Sequence, residues 1–357
     1  MSRKRIDAVR KQFQRENLDG VIVNHLDHIR YLTGFTGTSA MLIIGRKSAD
    51  FFTDFRYKDQ SAKQVKGAKI HIIRGDPTGA LKDFSKYNIK NHRWGFNGEY
   101  LTVTGRKRLE GALKDAILVP ADNVFTELGW VKDSEEVANI TKAVRIADTA
   151  FERILALIRP GVREREVAAE LEYQMMMLGS EKPGFESIVA SGYRSALPHG
   201  MATNKKIQKG DFVTFDFGAT VNGYVSDITR TVVVGKASPK QKKIYELVLR
   251  ANKAGIKKVK AGVSGKAVDA VCRRIITKAG YGKNFGHGTG HGIGLFIHVG
   301  PRLSSISDDK LKVNNVITVE PGIYISGWGG CRIEDDVVVT RTGCRVLTTS
   351  PKNLLEL

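Results

Sequence analysis

Three histidines and six glycines share the stretch from Phe285 to Pro301, FGHGTGHGIGLFIHVGP. Imidazole nitrogens hold metal ions or move protons, and glycine lets backbone pass close to an ion because no Cβ intervenes. His287 and His291 are four apart, but the glycines between them do not suit a helical H-E-x-x-H pair. Taken alone, the stretch also fits a glycine-rich turn whose histidines simply hydrogen-bond to the backbone.

The carboxylates give it a partner. FVTFDFGATVNGYVSDITRT, from Phe212 to Thr231, reads as a hairpin with Asn222-Gly223 as its turn signal. With Thr220 to Gly223 as the loop, Asp216 lies directly opposite Asp227, their carboxylates on one face with Cβ atoms about 5 Å apart. Two adjacent ionised carboxylates repel, and a divalent cation between them removes the conflict. The device recurs in TVEPGIY and RIEDDVVVT, where Glu320 and Glu334 flank a bend rich in glycine (Gly327, Gly329, Gly330). Two Asp, two Glu and at least one His suit a pair of Mn²⁺, Co²⁺, Fe²⁺ or Zn²⁺ ions about 3.5–4 Å apart. The chemistry of such a pair is hydrolysis at neutral pH.

These residues need elements to position them. Apolar spacing predicts an opening helix over residues 2–17, then short strands at Val21 to Asn24, Ala40 to Ile44, Asp50 to Thr53 and His71 to Arg74. A turn segment at Tyr31 to Gly37, a short helix at Leu81 to Tyr87, and strands at Trp94 to Phe96 and Ala116 to Val119 complete an α/β series. The character then changes. A long helix is expected from Ser134, as N-cap, to Arg159, and a second from Arg163 to Met177, before a β-rich region from Phe185 onward. The expected domains are therefore 1–125 and 126–357.

The chain has 357 residues with 41% apolar and 26% charged content, which is globular composition. No apolar run is long enough to cross a bilayer, no apolar h-region follows the basic N-terminus, and Cys272, Cys331 and Cys344 are too few and too far apart for a disulfide framework. No membrane association and a reducing cytoplasm are the expectations. The net charge of +20 raises nucleic acid as a partner, since fourteen Lys or Arg lie between Lys236 and Lys283 against Glu246 and Asp269. This segment reads as two amphipathic helices, Pro239 to Ala261 and Ser264 to Ala279, whose lysines fall on the outer face. Without stacking aromatics or a recognition motif, no specific nucleic acid is expected.

The order Asp216, Asp227, His291, Glu320, Glu334, with the motifs DFGATVNGYVSDITRT, GHGTGHGIG, TVEPGIY and RIEDDVVVT, resembles the metal set of the pita-bread metallopeptidases, the family of methionine aminopeptidase, aminopeptidase P and prolidase. TGFTG and TDFRY give the N-terminal part a weaker resemblance to the creatinase-type leader of the proline-specific branch. The resemblance implies an α+β chain: a C-terminal pita-bread fold behind an N-terminal α/β creatinase-type (ribonuclease H-like) domain. It implies that Asp216 holds one divalent ion, that His291 and Glu320 hold the other, and that Asp227 and Glu334 bridge them. Manganese stands first, with cobalt, zinc or iron as alternatives.

By the same resemblance, a hydroxide between the ions attacks the carbonyl before proline, with Glu320 as proton shuttle. His199 and His298 line the substrate and stabilise the tetrahedral intermediate, and His287 shapes the pocket. Arg332 orients the ligands with Tyr324 as its candidate partner, Tyr324 and His287 are also expected to meet substrate, and Arg302 can meet a substrate carboxylate. Phe296 and Val299 beside His298, and Phe55 in TDFRY, depart from the family pattern and bear on substrate range. The implied partners are proline-containing peptides and a second copy of the chain, whose leader domain would cap each site. An Xaa-Pro aminopeptidase is the first expectation, because no insertion closes the pocket beyond proline. An Xaa-Pro dipeptidase is the second; metal-free creatinase-like hydrolysis and a non-enzymatic pita-bread binding module follow.

Overall fold

Strands whose successive side chains are apolar on both faces must be covered on both faces. In the first unit Val21, Val23, Leu42, Ile44 and Phe51 enter one core with helices α1 (Ser2–Arg10) and α2 (Leu26–Thr33). Their neighbours Ile22, Met41, Ile43 and Phe52 enter another with Trp94 and Leu109. The computed structural model describes residues 2–357, which pack as two units, 2–128 and 129–357.

The first unit is built on a six-stranded sheet of β1 (Gly20–Val23), β2 (Met41–Gly45), β3 (Ala49–Asp54), β4 (Lys69–Ile73), β5 (Arg93–Phe96) and β6 (Ile117–Pro120), in the order β4-β3-β2-β1-β5-β6. The sheet is mixed: β1 to β3 pair antiparallel, while β3–β4, β1–β5 and β5–β6 are parallel. Several expectations need correction. Regular helix α1 stops at Arg10 and turns carry the chain to Asn17, whose φ of 50° closes it before Gly20. The supposed turn segment around Tyr31 belongs to α2, too short for a clear periodicity, with Gly34 at φ 86° as its left-handed cap. Leu81 to Tyr87 forms two 3₁₀ turns, Leu81–Asp83 and Ser85–Tyr87, instead of one helix.

In the second unit α3 (Ser134–Ile154) and α4 (Glu164–Met177) lie on one core with β8 (Phe212–Phe217). Phe151 stacks on Phe217 with ring centroids 5.6 Å apart. The cap of α3 is Asp133, one residue before the expected Ser134: its carboxylate accepts from the N–H groups of Glu135 and Glu136 at 3.1 and 3.0 Å. Glu136 reaches back to the Asp133 N–H at 2.9 Å, a reciprocal capping box. Helices α5 (Pro239–Lys258) and α6 (Gly265–Lys278) bury Ile244, Val248, Ala251, Cys272 and Ile276 against Ile323, Cys331 and Ile333. Lys243, Arg250, Lys253 and Lys257 on α5 and Lys266, Arg274 and Lys278 on α6 are exposed, as the amphipathic pattern requires.

The remaining strands are β7 (Ile188–Ser191), β9 (Thr220–Val221), β10 (Tyr224–Val225), β11 (Ile228–Val233), β12 (Gly290–Gly292), β13 (Val299–Leu303), β14 (Val316–Val319), β15 (Gly322–Ile325), β16 (Gly329–Arg332), β17 (Asp335–Val339) and β18 (Cys344–Val346). They form sheets β11-β8-β7 and β13-β12-β14-β17-β18 with two small hairpins, β9-β10 and β15-β16. With helix pairs on these strands, the unit has the pita-bread architecture, and the chain as a whole is α+β.

Candidate metal centre

Asp216 does not sit opposite Asp227. In the β8–β11 pairing its partner is Thr229, because the hairpin closes through a two-residue turn, Asn222 at φ 49° and Gly223 at φ 81°. Both residues are left-handed, as a type I′ turn requires, and Thr220–Val221 pairs with Tyr224–Val225 instead of forming a wider loop. The shift is by two residues. Asp227 therefore keeps its face and stands diagonal to Asp216.

His291 is the centre of β12. A Cβ on Gly290 would lie 2.1 Å from the Thr318 carbonyl oxygen, and one on Gly292 would lie 2.2 Å from that of Gly300. Only glycine lets β12 pass between β13 and β14 and so deliver the imidazole. Its Nδ1 lies 3.1 Å from the Gly292 carbonyl oxygen, which can only accept, so Nδ1 carries the proton. Nε2 then presents a lone pair to Asp227 Oδ2 and Glu320 Oε1, each 3.5 Å away. Burial, and next the nearby His298, pull this histidine down to about 3, so it is neutral.

A lone pair facing two carboxylates is unfavourable unless a cation, or a proton kept on one of the acids, lies among them. The acids agree. Burial, then the Glu334 and Asp216 charges, raise Asp227 well above its ordinary range, and burial followed by Glu320 and Asp216 does the same to Glu334. Glu320 is pushed up to about 7 by burial, with Arg332 opposing. Asp216 Oδ1 and Glu334 Oε1 are buried and, among the described residues, have no hydrogen-bond partner. Ligand atoms of Asp227, His291 and Glu334 lie within 4.8 Å of one another. The set fits divalent metal: hard oxygens, one neutral imidazole and orphaned carboxylate oxygens.

Around these acids runs a hydrogen-bonded frame. Thr229 donates from Oγ1 to Glu334 Oε2 at 2.6 Å and accepts from Arg332 Nε at 2.9 Å. Arg332 also donates to Asp216 Oδ2 (2.6 Å), to the Tyr324 hydroxyl (2.8 Å) and to the Pro198 carbonyl (3.2 Å), which carries the chain into His199. Burial works against the charge on Arg332, but Tyr324 and the acids overcome it and hold it protonated. The His287 Nδ1 proton goes to the Gly288 carbonyl at 2.7 Å, so its Nε2 accepts from the Tyr324 hydroxyl at 2.9 Å.

A cavity of about 870 Å³ opens over this floor. Asp216, Asp227, His199, His287, His291, His298, Arg302, Glu320, Arg332 and Glu334 all line it. Tyr324, expected to meet substrate, is not in the wall; it stands behind, between His287 and Arg332. The rings of His291 and His298 are 4.4 Å apart. Arg302 is exposed, and among the described residues its guanidinium has no partner.

The sequence reading missed Thr229 and Asp336. Asp336 is fully buried and its Oδ2 accepts the Asp227 N–H at 3.0 Å. Its signal was present: Asp336 falls two residues after Glu334, the spacing that puts side chains on one face of extended backbone.

Comparison with known proteins agrees with this geometry. The sequence profile of "Metallopeptidase family M24" matches residues 138–341, and that of the "Creatinase/Prolidase N-terminal domain" matches residues 5–128. The chain is 36% identical over 357 residues to the Xaa-Pro dipeptidase of Pyrococcus horikoshii, covering 99% of each. It matches a solved Xaa-Pro dipeptidase from Bacillus anthracis with a TM-score of 0.97 and 45% identity over 100% of both chains. An X-Pro aminopeptidase from Thermotoga maritima matches with a TM-score of 0.89 and 37% identity, over 97% of this chain and 100% of the other.

Proposed function

This chain belongs to metallopeptidase family M24, with a creatinase/prolidase N-terminal domain, and on that premise we propose that it hydrolyses the Xaa-Pro bond of dipeptides. The observation that carries the substrate class is Arg302, whose guanidinium has no partner among the described residues and stands in the wall of a cavity floored by the candidate metal-binding acids. A guanidinium fork matches a carboxylate in bidentate fashion, and proline's own carboxylate is the group that a dipeptide presents beyond the scissile bond. Relatives named Xaa-Pro dipeptidase support this order, which reverses the one expected from sequence.

Asp216, Asp227, His291, Glu320 and Glu334 would hold the divalent ions, which when bound would supply Lewis-acid polarisation of the scissile carbonyl and a lowered pKa for water. The chain's own groups do the rest. Glu320 takes up the proton of the attacking water and returns one to the leaving imino nitrogen. His199 and His298 offer ring N–H groups to the oxygen on which negative charge develops. Arg332 and Thr229 fix the orientation of Asp216 and Glu334, and Tyr324 holds His287 in one tautomer.

A cavity of about 870 Å³ is near the upper end for a small-ligand site, which favours Xaa-Pro aminopeptidase activity as the second reading. Hydrolysis of Xaa-Pro dipeptides beside Xaa-Pro-Yaa-Yaa peptides decides between them, using chelated protein with Mn²⁺, Co²⁺ or Zn²⁺ restored. Faster turnover of the dipeptides is the expected result. Cleavage of the longer peptides alone reverses the assignment.

A further inference from the structure

Helix α6 lies in the most basic part of the chain, yet its one acid, Asp269, is fully buried. Arg273 one turn later donates to both of its oxygens, from Nε at 2.8 Å and from Nη2 at 2.9 Å. The same guanidinium donates from Nη1 to the Phe285 carbonyl (2.9 Å) and from Nη2 to the His287 carbonyl (2.7 Å), and lies 4.4 Å from the Phe285 ring centroid. Asp269 Oδ1 also accepts from the Thr289 hydroxyl at 2.9 Å. Thr289 in turn receives the Glu320 N–H on its carbonyl at 2.7 Å and gives its own N–H to Leu303 at 2.6 Å.

The pair thus grips residues 285 to 289 at both ends. That segment contains Gly286 and Gly288 and is followed by Gly290, so it has little side chain of its own to fix it. Glycine-rich backbone loses the most conformational freedom on ordering, and an external template is what offsets that cost. Arg273 reaches the cavity wall, but four of its five N–H donors are engaged, so it is not a second anion receptor beside Arg302.

We infer that Asp269 and Arg273 are positioning residues for the metal centre: a brace that sets the Phe285–Thr289 backbone so that His287, His291 and Glu320 face the cavity together. The inference rests on the reading of that cavity as a metal-dependent peptidase site. Neither residue touches the reacting atoms. Their effect passes through two carbonyls, one hydroxyl and the Glu320 amide.

The test is Arg273→Ala in the full chain, stripped by chelation and titrated calorimetrically with Co²⁺. Partners of metal ligands commonly govern about 10–100-fold in metal affinity or activity. Co²⁺ affinity is expected to fall by about that factor, and kcat on an Xaa-Pro dipeptide at saturating Co²⁺ by about tenfold or more, with KM within about threefold. Arg273→Lys, which keeps the charge but not the fork, falls between Arg273→Ala and wild type. The exposed Arg274→Gln on the same helix leaves all three values unchanged. A lower Tm with wild-type Co²⁺ affinity and kcat overturns the inference, since that is what a merely structural contact gives. If Arg273→Ala does not fold, Thr289→Val decides by the same readings, and unchanged Co²⁺ affinity and kcat again overturn it. A wild-type protein that binds Co²⁺ but cleaves no Xaa-Pro peptide defeats the peptidase reading alone, because Co²⁺ affinity still reports on the brace.

Discussion

Glu320 and Glu334 occupy paired positions of one hairpin, yet neither backbone amide goes to the other. Val319 pairs with Asp335 on one side of them and Gly322 with Arg332 on the other, a single register running through both glutamates. Between those pairs the strands part. The Glu320 N–H turns to the Thr289 carbonyl at 2.7 Å, and the Glu334 N–H to that of Thr229 at 3.1 Å. Each glutamate is thereby fastened to a different segment, one to the residue that leads into β12 and His291 and the other to β11 opposite Asp216. The opening is where five ligands from three chain segments meet.

Clustered acids should make the metal-free protein pH-sensitive. Asp227, Glu334 and Asp336 are raised well above their usual values by burial, and Glu320 stands at about 7. Each folded pKa exceeds its unfolded value, so the folded state binds more protons between the two. Stability is then highest below the usual carboxylate range of about 4 and is lost as pH rises toward 7 and beyond. Chelated protein should show a Tm that falls from pH 5 to pH 8, and added Mn²⁺ or Co²⁺ should flatten the profile. An ion at a hundred times its Kd adds about 2.7 kcal/mol. Differential scanning calorimetry with and without metal checks this, and a flat profile in chelator opposes it.

The histidines should separate by role. His291→Ala removes the imidazole facing Asp227 and Glu320 and should lose metal. His298→Ala and His199→Ala should retain metal and lose turnover, by about 10²–10³ if each supplies one transition-state hydrogen bond. Metal content and kcat on the same preparations report both outcomes. Loss of metal in His298→Ala contradicts the assignment.

Residue types and spacing pointed to the four acids, because acids on facing strands leave a period and a turn signal in the sequence; they left three histidines open, and only the family resemblance singled out His291. The frame around them left less. Thr229 looks like an ordinary strand residue until the register brings it to Glu334, while Asp336, two residues after Glu334, left a spacing signal that the contact with Asp227 explains. Asp269 did leave a signal, as a buried acid among exposed cations with an arginine four residues on, but the acid was read only as part of a charge count. The Asp216 register was displaced by two residues because loop length, not hydrophobic pattern, sets it. In the N-terminal unit α2 was missed because eight residues are too few for periodicity to show.

Lys132 carries a second pH prediction, away from the acids. Its side chain is buried, with Nζ donating to the Trp130 carbonyl at 3.2 Å, and burial lowers it to about 7, with the Glu136 charge opposing. A lysine depressed in the fold is protonated in the unfolded chain from pH 7 up to about 10.5. Stability therefore rises with pH through that window, and the full cost of the buried charge is felt below it. Lys132→Met should raise Tm by several degrees at pH 6 and by much less at pH 10. An equal gain at both would show that packing, not charge, is what changed.

The cationic face of α5 and α6 should bind nucleic acid weakly and without sequence preference. Lys243, Arg250, Lys253, Lys257, Lys266, Arg274 and Lys278 are exposed there, and among the described residues none of them is ion-paired. Such a surface gains from counterion release and reads no bases. Fluorescence anisotropy with two duplexes of unrelated sequence should give equal affinities that collapse between about 50 and 200 mM salt. Replacing Lys253, Lys257 and Arg274 with Gln should weaken binding and spare peptide hydrolysis. Tight binding to one duplex at high salt would revive a binding function for this face.

Arg302 decides how long a substrate can be. Its backbone N–H is fixed by Asp309 Oδ2 at 2.9 Å, while the guanidinium is left free at the cavity wall. If that group clamps the carboxylate of a dipeptide, Arg302→Ala removes a charge-assisted pair from short substrates and nothing comparable from long ones. Charged hydrogen bonds are worth about 1.5–3 kcal/mol each, so kcat/KM for Xaa-Pro dipeptides should fall by about ten- to a hundredfold. Xaa-Pro-Yaa-Yaa peptides, which carry their carboxylate farther out, should change by less than about threefold. The loss should appear mainly in KM, because the clamp holds ground state and transition state alike. Arg302→Lys should recover part of the charge but not the bidentate fit. Equal losses on both substrate lengths would mean that Arg302 supports the wall instead of the substrate, and would return the longer peptides to first place.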